Sequence, residues 1–191
     1  MKISKNIYLD YQATTPLDPR VLEKMIPYFN ERFGNPHSRN HFFGWEAEEA
    51  TEIARKQVAE IIGANSKEIV FTSGATEANN LALNGYDKKI VSSIEHDSIR
   101  NQKNVIEVDV DDKGYINLEM LHNIVKSVIN KNKAIISVMF ANNETGIIQP
   151  VNKIKDIANK FNIPFHTDAV QAVGKIKINF NELGIDFLTI S

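Results

Sequence analysis

Cysteine is missing altogether from the 191 residues, which excludes disulfides and thiolate metal ligands. No apolar run approaches the roughly 18 residues needed to cross a bilayer. The first ten residues, Met1 to Asp10, lack the apolar stretch of a secretory signal and the Arg/Ser bias of a transit peptide. Neither sign of charge dominates, with 22 Lys and Arg against 24 Asp and Glu and a net charge of −2. The basic residues are scattered, so the chain has no electrostatic footprint for nucleic acid. Internal repeats and low-complexity tracts are absent too. These absences describe a cytoplasmic chain that binds neither nucleic acid nor membrane. What remains is 42% hydrophobic and 24% charged, ordinary for a globular protein with one domain or one domain and the start of a second.

Apolar spacing then orders the chain. Asp18-Pro19 reads as an N-cap followed by proline at the first helical position, with the helix stopping near Pro27. Residues Trp45 to Ile62 carry Ala47, Ala50, Ile53, Ala54, Val58, Ile61 and Ile62 at the spacing of one buried helical face, closed by Gly63. From there strands and helices alternate. Strands are expected at Glu68–Phe71, Lys89–Ile94, Val105–Val110, Ala134–Ala141, Ile163–Thr167 and Ile185–Ile190. Helices are expected at Ala75–Leu83, from Asn117 to Ile129, and through Ile154, Ile157, Ala158 and Phe161. The unbroken apolar run at Ala134–Ala141 fits a parallel strand covered on both faces. Such alternation predicts an α/β fold, a doubly wound and mostly parallel sheet. The final strand runs straight into the chain end, where a crossover would normally follow, so the domain is expected to be incomplete.

The polar clusters sit at the carboxyl ends of these strands, where open α/β sheets bind ligands. Asp168 ends one apolar run, and a carboxylate there can hold a cationic ring nitrogen; it could equally cap a turn. Thr72-Ser73-Gly74-Ala75-Thr76-Glu77 links a strand to a helix start, whose free N–H groups suit a phosphate. An ordinary capped turn reads the same way. The glycine spacing matches neither a Walker loop nor a Rossmann fingerprint. His96, after Glu95, could stack on a planar cofactor, act as a base or sit idle in a loop. Asn142-Asn143-Glu144-Thr145-Gly146 brings amide donors to the same edge, or is simply a turn. A metal site on Glu95, His96, His166 and Asp168 is a further option, with His166 and Asp168 on one strand face. Four clusters on one sheet edge would converge on one crevice.

Seven motifs occur in order: Tyr8-Leu-Asp-Tyr-Gln-Ala-Thr-Thr-Pro16, Phe33-Gly-Asn-Pro-His-Ser-Arg39, Phe43-Gly-Trp-Glu-Ala-Glu-Glu49, Phe71-Thr-Ser-Gly-Ala-Thr-Glu77, Glu95-His96, Asn142-Asn-Glu-Thr-Gly146 and His166-Thr-Asp-Ala-Val-Gln171. Over nearly the whole chain they resemble the N-terminal half of a cysteine desulfurase, a class V aminotransferase-type enzyme that uses pyridoxal 5'-phosphate.

That resemblance implies the large domain of a fold type I transferase dependent on pyridoxal phosphate, truncated before completion. It implies an N-terminal arm over residues 1–15, an incomplete cofactor-binding domain over 16–191, and an absent C-terminal small domain. By the same resemblance Ala75 and Thr76 contact the cofactor phosphate, His96 stacks on the ring and shuttles protons, and Asp168 pairs with the ring nitrogen. Asn143 and Gln171 lie beside the phenolic oxygen, Ser191 touches the phosphate, and Ala13-Thr14-Thr15 and the loop around Asn35 line the substrate side. No metal is implied. The implied reaction takes sulfur from L-cysteine, leaving L-alanine and an enzyme persulfide for iron-sulfur cluster or thio-cofactor synthesis through a sulfur-acceptor scaffold protein. The Schiff-base lysine and the persulfide cysteine match no residue here, so the chain alone is expected to be inactive. Homodimerisation or pairing with a complementary or full-length subunit is expected instead. Selenocysteine lyases and other class V enzymes share the same cradle.

Overall fold

The computed structural model describes residues 7–128 and 133–191. The start of the expected arm and the helix end expected at Ile129 lie outside the described residues. Two compact units result, one ending at Val58 and the other spanning Ala59–Ser191.

In the first unit Asp18 caps helix α1 (Pro19–Met25), accepting from the Arg20 backbone N–H at 2.8 Å. Pro27 has no N–H to continue the ladder. The chain therefore restarts as the short helix α2 (Pro27–Asn30). Helix α3 runs from Phe42 to Ile62, past the unit boundary.

The second unit is a five-stranded sheet. Its strands are β1 (Lys88–Ser92), β2 (Val105–Val108), β3 (Ala134–Ser137), β4 (Phe165–Asp168) and β5 (Phe187–Thr189). Their order is β2-β1-β3-β4-β5, and every pairing is parallel. Around it lie α4 (Ala75–Leu83), α5 (Asp97–Arg100), α6 (Leu118–Val128), α7 (Val151–Phe161) and α8 (Phe180–Leu183). Strand alternation divides the core. Ile90, Ile136 and Phe165 pack with Leu121 and Val125 of α6 and with Ile154 and Ala158 of α7. Val91 and Ile135 instead pack with Leu83 of α4 and with Ile99. Both faces are therefore covered, as the apolar run of β3 required. Each fully buried Ile or Phe is worth about 1.5–3 kcal/mol.

One expected strand does not form. Residues Glu68–Phe71 give a 3-10 turn at Ser66–Glu68, closed by a reciprocal Asn65–Glu68 capping box, and then irregular backbone. A strand exists only through its partner's hydrogen bonds. The described sheet ends at β2 and β5 and does not take in this segment. Val70 stands 67% exposed there. Other strands are shorter than their apolar runs. Val138 and Met139 stay buried beyond β3, and Ala141 turns back in an antiparallel bridge to Ile148. Apolar pattern reports burial, and pairing is a separate matter. The four-residue helix α8 falls where the apolar spacing assigns no element.

Candidate functional site

Because all five strands run the same way, β1, β3, β4 and β5 deliver their carboxyl ends to one sheet edge. Asp168 is the last residue of β4 and is 7% exposed. Its Oδ1 accepts from the Val170 N–H at 3.0 Å, and its Oδ2 accepts from Asn79 Nδ2 at 2.9 Å. Asn79 lies on α4, one turn after Ala75, and is fully buried.

The entry to α4 is set by Gly74, whose backbone (φ 157°, ψ 178°) falls in a region that essentially only glycine occupies. No atom lies within 4 Å of where a Cβ would stand, so conformation and not crowding requires glycine there. Glu77 folds back and accepts from both the Ser73 hydroxyl and the Ser73 N–H at 2.6 Å. These two bonds, the hydroxyl first, hold the Glu77 carboxyl below its usual range. The first-turn amides of Ala75 and Thr76 have no intrahelical acceptor, the arrangement in which helix starts can bind anions.

His96 follows β1 and caps α5, with Nδ1 accepting from the Ser98 N–H at 3.1 Å. The Ser98 hydroxyl lies 2.8 Å from the same nitrogen and 2.9 Å from Asn79 Nδ2. Asp168, α4 and His96 are thus joined through one amide and one hydroxyl.

The preceding residue, Glu95, is buried and accepts from the Met139 N–H at 2.7 Å. Burial drives its carboxyl well above the usual range, and the Asp168 charge adds to this against the Met139 hydrogen bond. Asn142 supports the loop after β3. Its Oδ1 accepts from the Glu144 and Thr145 N–H groups, and its Nδ2 donates to the Ile94 carbonyl at 3.1 Å. Asn143 is half-buried beside it. Gln171 Oε1 accepts from Lys175 Nζ at 2.6 Å. Ser191 is exposed, two residues past Thr189, the register partner of Asp168.

His166 has a different role from the one a metal site would need. Its Nδ1 meets Ser137 Oγ at 2.8 Å and its Nε2 meets Thr189 Oγ1 at 2.9 Å. Burial pulls its pKa down to about 3. Among the described residues no group of three or more His, Asp or Glu could hold a metal ion.

Sequence reasoning passed over Asn79, Ser98 and the anchoring part of Glu95. Asn79 did carry a signal, since it shares a helical face with Ala75 and Leu83, where a polar side chain needs a partner.

A parallel sheet wound on both faces, with an acid, an imidazole and a helix start at one edge, is the large domain of a fold type I pyridoxal phosphate enzyme. The family model described as aminotransferase class-V matches residues 7–191. Cysteine desulfurase IscS of Rickettsia prowazekii is 48% identical over 201 residues, covering 97% of this chain and 48% of that protein. The mitosomal cysteine desulfurase of Trachipleistophora hominis is 47% identical, covering 97% of this chain and 45% of its own length. Among solved structures, a NifS-like protein of Rickettsia africae superposes with a TM-score of 0.88 at 37% identity, covering 97% of this chain and 53% of that one. One described as SspA in complex with cysteine superposes with a TM-score of 0.86 at 36% identity, covering 96% and 56%. The chain belongs to the class-V aminotransferase family, whose members depend on pyridoxal phosphate, and its relatives are cysteine desulfurases. It spans about half the length of the curated relatives it matches.

Proposed function

We propose that these residues are the cofactor-holding half of a cysteine desulfurase. The observation that carries this is the junction at Asn79. One amide ties the Asp168 carboxylate to the helix that opens at Gly74, and through Ser98 to His96. The donor set fits pyridoxal phosphate, because a doubly anionic group needs unpaired N–H donors and a ring nitrogen needs a carboxylate nearby. The amides of Ala75 and Thr76, with Ser191, would hold the phosphate. Asp168 would hold the proton on the ring nitrogen, and His96 would lie against the ring and move a proton at Nε2. Asn143 and Gln171 would donate from their side-chain amides to the phenolic oxygen. Once bound, the cofactor supplies an electron-withdrawing ring that stabilises negative charge at the substrate carbon.

L-cysteine is the proposed substrate, with L-alanine and transferable sulfur as products. A cytoplasmic scaffold protein that builds iron-sulfur clusters would accept the sulfur. With no cysteine in its sequence, the chain cannot carry a persulfide itself. The sulfur-bearing cysteine and the cofactor-bonding lysine would lie outside these 191 residues. Apolar side chains exposed in the second unit support a contact with further protein there, notably Leu81, 56% exposed.

Two measurements test this. In equilibrium dialysis the 191-residue protein retains pyridoxal phosphate, and Asp168→Asn weakens retention roughly tenfold or more, since a charged hydrogen bond is worth about 1.5–3 kcal/mol. Equal retention by the variant defeats the reading. Alanine and sulfide release from cysteine is absent for the chain alone and appears when a chain carrying the missing half is added. Turnover by the 191 residues alone refutes the division of labour.

A further inference from the structure

Asn79 and Ser98 are given no contact with the cofactor, yet they lie between the two side chains assigned the ring chemistry. An amide nitrogen can only donate. Asn79 Nδ2 has two hydrogens and two partners, Asp168 Oδ2 and Ser98 Oγ, each at 2.9 Å. The reverse amide orientation would set a carbonyl oxygen against the Asp168 carboxylate, so the direction of both bonds is fixed. Ser98 Oγ lies 2.8 Å from His96 Nδ1 and, because that nitrogen already accepts a backbone N–H, turns its own hydrogen to it. The Ser98 backbone N–H meets the same nitrogen at 3.1 Å. Two donors on Nδ1 leave it without a hydrogen, and the ring hydrogen of neutral His96 sits on Nε2.

We infer that Asn79 and Ser98 are positioning residues that form a one-directional bridge, holding His96 as its Nε2–H tautomer at a fixed place relative to Asp168. The bridge orients both groups but conducts no proton. An amide that donates on both sides cannot pass a hydrogen from acid to imidazole. Any proton that His96 gives or takes moves through Nε2 alone. Asn79 is buried while Ser98 is half-buried. The bridge's meaning for catalysis rests on the cofactor reading above, but its existence does not.

The test is nitrogen NMR on the 191-residue chain labelled with 15N-histidine, without added cofactor. The wild-type chain should show His96 at neutral pH in the Nε2–H pattern, with Nδ1 as an acceptor. Ser98→Ala should shift the Nδ1 resonance toward that of a weakly bonded nitrogen, and Ser98→Thr should restore it. Asn79→Ala should shift it as well, although Asn79 touches no atom of the ring, while the His37 and His122 resonances stay in place. An Nδ1–H tautomer in the wild-type chain overturns the inference. So does a His96 resonance unmoved by Asn79→Ala in a chain that keeps its folded spectrum. If that variant does not fold, Ser98→Ala decides, and an unmoved resonance there is fatal. Pyridoxal phosphate retention is measured separately on the same samples. A wild-type chain that shows the bridge but holds no cofactor supports the bridge and removes the cofactor reading.

Discussion

Lowering the pH should weaken this fold through one buried imidazole. His166 has a folded pKa of about 3, against 6.5 in the unfolded chain, because burial penalises its charged form. A base with a depressed folded pKa is protonated more in the unfolded state between those two values. Its stabilisation is therefore complete above pH 6.5 and is lost as the pH falls toward 3. A tenfold difference in proton affinity between the two states is worth about 1.4 kcal/mol, so the full loss is roughly 5 kcal/mol, and the step from pH 7 to pH 5 costs about 2 kcal/mol. Urea unfolding followed by circular dichroism at pH 7, 6 and 5 reads this directly. Glu95 titrates in the opposite sense, so the decisive quantity is the difference between wild type and His166→Gln. At pH 7 the variant should be less stable by about 1–3 kcal/mol, from disturbed bonds to Ser137 and Thr189. That deficit should shrink by about 2 kcal/mol at pH 5, because glutamine does not titrate. A deficit equal at both pH values, or a His166 NMR titration centred near 6.5 in the folded protein, would refute the reasoning.

Glu95→Gln should stabilise the chain increasingly as the pH rises above about 4.3, the unfolded carboxyl value. The native Glu95 carboxyl keeps its proton to higher pH, so the wild type loses stability across that window while the amide does not; parallel urea curves for the two proteins at pH 4 and pH 8 check it, and identical differences contradict it. Gly74→Ala should cost about 1–3 kcal/mol through backbone strain although the space beside it is open, as measured by the urea midpoint at constant slope. Asn142→Ala should leave the loop amides of Glu144 and Thr145 unpartnered, speeding their hydrogen exchange while the amides of β1 stay protected.

The strands of the sheet were legible because they are buried. Ala134–Ala141 could be apolar throughout only if covered on both faces, and Ile90 against Val91 shows the two cores that result. The failure at Glu68–Phe71 has the same origin, since an apolar tetrapeptide looks alike with or without a neighbouring strand. At the edge of the sheet, Asp168 and His96 stood out as chemistry-bearing types after strands. Asn79 and Ser98 did not, because their importance lies in hydrogen bonds spanning 89 and 19 positions of chain. Spacing along a sequence does not reveal such distances.

The trio of Ser137, His166 and Thr189 also acts as an alignment key for three neighbouring strands. Greasy parallel strands can slide by two positions and still present the same side to the interior. Here such a slide would set the imidazole against Ile135 or Met139 on one flank, or against Phe187 on the other. Each ring nitrogen that lost its hydroxyl inside the core would cost about 1–3 kcal/mol. Misaligned versions of the sheet are thereby disfavoured, and the same key places Asp168, two residues further on, at the mouth of the crevice.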